Sequence, residues 1–145
     1  MKKTLSACLL ALAAGSALAQ GTPAGLWKTI DDETKVEKSL VRITDSGGVL
    51  SGKVEKILSD QADAKCTECS DERKDKPVMG MTILRGIKPD ANEKGSWVGG
   101  DILDPNNGKI YKVLLKLVEG GKKLDVRGYI GMPMLGRTQT WHRVE

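Results

Sequence analysis

Phenylalanine is absent from the 145 residues, histidine occurs once and cysteine three times. The first absence dictates the make-up of any core. It must be assembled from Val, Leu, Ile and Met around the three Trp and two Tyr, which in a chain of this length suits one domain with one core. A single histidine leaves one candidate for histidine-based acid–base chemistry. A Ser-His-Asp arrangement would have to use His142, beside Trp141 near the C-terminal end, where a lone histidine is more often an exposed side chain than a general base. No Gly-x-Ser-x-Gly elbow surrounds a serine, and Gly99-Gly100 and Gly120-Gly121 lack the strand-to-helix setting of phosphate loops. The sequence therefore offers no catalytic constellation and implies no cofactor.

Long charge blocks are also missing, which excludes the usual basic footprint of nucleic-acid binding. Apolar runs are short as well. The longest, Leu5 to Ala14, follows Lys2 and Lys3 and is too brief to span a bilayer. With the small-x-small triplet Ala17-Leu18-Ala19 behind it, residues 1–19 read as a cleavable signal peptide cut before Gln20. A lipoprotein reading at Leu5-Ser6-Ala7-Cys8 fails on length, because only Thr4 separates the basic residues from that match. The mature chain, 20–145, would lose two lysines, so the net charge of +4 falls to about +2. It is expected to be exported, periplasmic or secreted, without a transmembrane segment.

From Gly25 onward the chain consists of short aliphatic and β-branched runs punctuated by Gly, Asn and Asp, with no helical period. Strands are predicted over Gly25–Ile30, Val36–Thr44, Val49–Leu58, Met79–Ile87, Ser96–Leu103, Lys109–Val118, Lys123–Ile130 and Gly136–Val144. Tight turns such as Asp45-Ser46-Gly47-Gly48 and Asp104-Pro105-Asn106-Asn107-Gly108 join most of them. In the second turn Asp104 reads as a cap on its own backbone rather than a metal ligand. Successive hairpins favour an all-β fold, a single antiparallel up-and-down barrel of about eight strands. Tyr111, Val113, Leu115 and Leu117 share one face against Lys112 and Lys116, and Leu124, Val126 and Ile130 oppose Asp125, Arg127 and Tyr129. The second strand is ambiguous, since Val36, Leu40 and Arg42 alternate against Val41 and Ile43.

Function has few places to sit. In a closed barrel the first and last strands are neighbours, so Trp27 and Arg143 are expected to meet as a barrel-closing cation–π pair. Cys66-Thr67-Glu68-Cys69, in the irregular segment Ser59–Pro77, most simply forms a local disulfide after export. The rival readings are a redox motif, which lacks a βαβ setting, and zinc, for which one histidine and no second cysteine pair leave too few ligands. Among the polar residues of the late strands, which include Lys109 and Arg137, the side chains of Arg127, Tyr129 and Gln139, with Tyr111, form the candidate binding group. They either converge on a ligand head group inside the barrel or form an exposed stripe and barrel-closing hydrogen bonds.

Gly25-Leu26-Trp27 with a late Arg resembles the core motif of lipocalins and the wider calycin group. A second resemblance covers nearly the whole mature chain. It is carried by Gly25-Leu26-Trp27, Gly99-Gly100-Asp101-Ile102-Leu103-Asp104-Pro105 with Gly108-Lys109 and Tyr111, and Leu124-Asp125-Val126-Arg127-Gly128-Tyr129-Ile130-Gly131. Leu135-Gly136-Arg137-Thr138-Gln139-Thr140-Trp141 with Arg143, and the Cys66/Cys69 pair before Pro77, complete it. On these residues the chain resembles the bacterial exported proteins of domain-of-unknown-function family 2147. The resemblance implies a small barrel in the Gram-negative cell envelope and no established activity. The expected function is binding of a small, largely apolar ligand; the alternatives are docking of another envelope protein on the Cys66–Pro77 loop and, third, an enzyme of unknown type.

Overall fold

The computed structural model describes residues 21–145; the leader read in 1–19, its cleavage point and Cys8 lie outside the described residues. Short aliphatic runs between glycine and asparagine turns fold as successive hairpins. They give β1 (Gly25–Ile30), β2 (Glu37–Ser46), β3 (Val49–Ile57), β4 (Thr82–Pro89), β5 (Ser96–Leu103), β6 (Ile110–Val118), β7 (Lys123–Tyr129) and β8 (Arg137–Arg143). Each strand pairs antiparallel with the next and β8 returns to β1, so the sheet closes into an up-and-down barrel and leaves no free edge. Among the described residues no helix is long and apolar enough to cross a membrane.

Strand boundaries match the sequence expectation to within about two residues, apart from the start of β4. There the chain makes a turn through Met79 and Gly80, with Met81 N donating to Val78 O and Gly80 N to Val54 O. The ambiguous second strand resolves through its partners. Val41 and Ile43 are buried inside, while Arg42 faces outward and pairs with Glu55 and Glu145.

Meander topology puts the connections at alternating ends. The β2–β3, β4–β5 and β6–β7 turns and both ends of the described chain lie at one end. Trp27, Ile43, Leu50, Ile87, Leu115 and Leu124 fill that half and Val41, Leu84 and Val113 the middle of the barrel, each essentially inaccessible to solvent. The other end collects the β1–β2, β5–β6 and β7–β8 loops and the long β3–β4 segment. It is the open end.

The closed end is tied by Arg143. Its guanidinium sits 4.3 Å over the Trp27 ring and donates to Gly121 O at 2.7 Å, Ala24 O at 3.0 Å and Thr22 O at 2.7 Å. Trp27 Nε1 in turn donates to Pro23 O at 2.7 Å. Gly25 is required here: its φ is +143°, and a Cβ would run into Arg143 and the terminal carbonyl of Glu145.

Candidate functional site

Inside the open half the side chains thin out and leave a cavity of about 470 Å³. Trp141 and Val126 lie deep in it, its wall carries Ile57, Ile83 and Ile102, and Leu103, the last residue of β5, lines it at the open end. The gap has a local cause. In β7 the alternation that buries Leu124 and Val126 next brings Gly128 inward, and where a side chain would stand only hydrogen meets Tyr111 and Ile102. A Cβ at Gly128 would come no closer than 3.4 Å to Tyr111, so the space is room, not collision.

A polar belt crosses this apolar wall. Thr29 Oγ1 and Ser39 Oγ share a hydrogen bond of 2.8 Å between β1 and β2. Gln139 Oε1 accepts from Trp141 Nε1 at 3.1 Å, which leaves the Gln139 Nε2 donor for the cavity. The Tyr111 hydroxyl accepts from Asn107 Nδ2 at 3.2 Å and keeps its own proton to donate. At the rim Arg137 donates to both Asp32 oxygens, at 2.6 and 3.2 Å, tying the β1–β2 loop to the start of β8; that bond holds the guanidinium pKa up. Asp31 is held below the usual carboxylate range, chiefly by the Thr34 backbone N–H.

The Ser59–Pro77 segment closes one side of the mouth. Cys66 and Cys69 are joined by a disulfide and buried, with Cys66 Sγ 3.6 Å from Pro105 O of the β5–β6 turn. Arg73, also buried, grips both Asp71 oxygens through Nε at 3.1 Å and donates from a terminal nitrogen to Thr82 O at 2.8 Å. The Arg73 guanidinium and backbone N–H pull the Asp71 pKa down to about 2. Asp104 caps its own turn by accepting from Asn106 N at 2.9 Å.

The convergence of Arg127, Tyr129 and Gln139 does not occur. Gln139 pairs with Val126 and faces in, as does Tyr111. Arg127, between Leu114 and Thr138, faces out and donates to Pro133 O at 2.6 Å and Thr138 Oγ1 at 2.7 Å. Tyr129 shares the outer face with Lys112 and touches only the cavity rim. The alternation of β7 itself carried the signal, because a strand with Leu124 and Val126 inside must turn Arg127 and Tyr129 outside. It equally marked Gly128 as a lining position, and Trp141 and the Thr29–Ser39 pair follow from register alone. His142 lies on the outer face of β8, opposite Lys28 and Lys123. Among the described residues no group of three or more His, Cys, Asp or Glu side chains is placed to hold a metal ion.

Comparison with solved structures finds protein HP1028 of Helicobacter pylori, described as belonging to the lipocalin family, with a TM-score of 0.72. The match covers 84% of this chain and 82% of that one at 19% identity, which is a likeness of fold. No curated protein matches the sequence. The profile of a family described as "Uncharacterized protein conserved in bacteria (DUF2147)" matches residues 25–143, so the chain belongs to that family and builds it on a lipocalin-like barrel.

Proposed function

We propose that the protein is an exported carrier that holds a small, largely apolar molecule in the open half of its barrel. The observation that carries this reading is the cavity of about 470 Å³, within the range of roughly 300–1,000 Å³ used for small-molecule sites. Its apolar floor and wall suit a hydrocarbon body. The Gln139 amide beside Val126 and the Tyr111 hydroxyl suit one hydroxyl or carbonyl on the ligand. The leader pattern in residues 1–19 supports export. His142, the chain's one histidine, lies on the outer face of β8 and does not line the cavity.

N-Phenyl-1-naphthylamine, whose emission rises in apolar surroundings, serves as the probe. The protein stripped of lipid is expected to bind it at one saturable site, and Gly128→Leu is expected to abolish binding by filling the space beside Tyr111. The backbone at Gly128 does not need positive φ, so this variant should fold. Probe binding unchanged in Gly128→Leu, with circular dichroism like the wild type, would place the ligand elsewhere and overturn the reading.

A further inference from the structure

The β7–β8 connection holds the four most exposed large apolar side chains among the described residues: Ile130 at 63%, Met132 at 54%, Met134 at 72% and Leu135 at 73%. Exposed apolar side chains scattered singly need no explanation, but a cluster on one loop does. The loop is firmly built. Leu135 N donates to Met132 O and Gly136 N to Pro133 O, closing a 3-10 turn over Pro133–Leu135. Arg127 holds that turn from below, donating to Pro133 O at 2.6 Å and Met134 O at 3.3 Å. At its base Gly136 packs against the Gly128 carbonyl so closely that no side chain would fit. The backbone is fixed and hydrogen-bonded while its apolar side chains stand in water, an arrangement that gains free energy only when something covers them.

We propose that this loop is a membrane-contacting tip that dips into a lipid surface and lets an apolar ligand pass between bilayer and cavity; this rests on the carrier reading above. Continuity supports it, because Ile130 and Leu135 belong both to the exposed tip and to the cavity lining, giving an unbroken apolar path. Size favours lipid over protein, since a stable protein interface takes roughly 20–30 residues a side. One short loop falls far below that, whereas insertion among acyl chains requires no matching surface. Charge agrees as well. From Gly128 to Gly136 the chain has no Asp, Glu, Lys or Arg, and it is bounded by Arg127 and Arg137, as suits a tip among acyl chains beneath phosphate groups. Since Arg137 is already paired with Asp32 and Glu33, the apolar tip dominates and neutral lipid should suffice.

The test is flotation of the processed chain, 20–145, which contains the entire closed barrel, with vesicles of phosphatidylcholine and of phosphatidylcholine mixed with phosphatidylglycerol. The wild type should float with both. Met132→Asp/Met134→Asp, at positions outside the cavity lining, should lower the bound fraction about tenfold or more. It should still bind N-phenyl-1-naphthylamine in solution, which also shows that it is folded. Gly128→Leu should behave conversely, floating like the wild type but losing the probe, so failure of the tip and failure of the cavity are separately visible. Absence of wild-type flotation, or flotation unchanged in the loop variant, would overturn the proposal. So would self-association that the loop variant abolishes while the wild type ignores vesicles, because the loop would then cover a second copy of the chain.

Discussion

Arg143 shows how much one side chain can carry when its geometry is planar. Its fork reaches the carbonyls of Gly121, Ala24 and Thr22 while the flat face covers Trp27, and burial pushes its pKa down without threatening its charge. A lysine keeps the charge but cannot direct several donors in one plane. Arg143→Lys should therefore cost about 2–4 kcal/mol, through carbonyls left unpaired at the closed end and a weakened cover on Trp27. Urea unfolding with an unchanged slope and a lower midpoint is the expected result; a midpoint within error of the wild type would refute this role. The pairing was legible in the sequence because a closed meander makes the first and last strands neighbours, whatever the intervening detail. Gly25 was legible as a motif but not as a cause, since only the approach of Arg143 and Glu145 shows why a Cβ is excluded. The outward turn of Arg127 was hidden by residue type: polarity suggests a head-group contact, whereas strand parity alone decides which face it takes.

At the scale of elements, the Ser59–Pro77 segment lacks a strand partner of its own beyond a single bridge from Lys65 to Pro77. It is held instead by the Cys66–Cys69 link and the Asp71–Arg73 pair. A ring this short stabilises a fold by only about 2 kcal/mol in the loop-entropy picture, so the disulfide shapes the segment more than it secures the barrel. The ion pair adds a pH dependence whose direction is fixed. Asp71 titrates at about 2 in the folded chain against an ordinary 3.8, so the folded segment favours its ionised form. That contribution is complete above the ordinary value and is lost as the pH falls through about 2. Amide exchange in residues 65–77, corrected for intrinsic rates, should accelerate on acidification while β5 to β7 stay protected. Asp71→Asn should show the accelerated pattern already at neutral pH. Equal protection of the segment at both pH values would show that the pair does not hold it. Sequence reading found the cysteines because their spacing is local. It could not find Arg73, whose burial depends on Thr82 O in the next strand.

Across the whole molecule, closure was legible and the cavity was not. Closure follows from hairpin punctuation repeated along the chain, a local property, while the cavity depends on which side-chain volumes meet in one layer after several strands have set their registers. Gly128, paired with Val113 and leaving room beside Tyr111 and Ile102, is such a meeting. The barrel is also uneven around its circumference. β6 and β7 stay in register from Lys112–Tyr129 to Val118–Lys123. The β1–β8 seam holds only Trp27–Arg143 and Lys28–His142, extended by Leu26 N to Glu145 O at 2.9 Å and Val144 N to Leu26 O at 2.8 Å. The cavity straddles this weaker seam, with Thr29 and Ser39 on one side and Gln139 and Trp141 on the other. A bound apolar molecule therefore touches both sides and must be released before they part. At a free ligand concentration near a hundred times Kd, linkage adds about 2.7 kcal/mol to any opening that destroys the site. The amides of Leu26 and Val144 should then exchange about a hundredfold more slowly with N-phenyl-1-naphthylamine present, provided they exchange through that opening. Gly128→Leu, with its cavity filled, should show no change on adding the probe. Equal slowing in both proteins, or none in the wild type, would mean that the ligand does not bridge the seam.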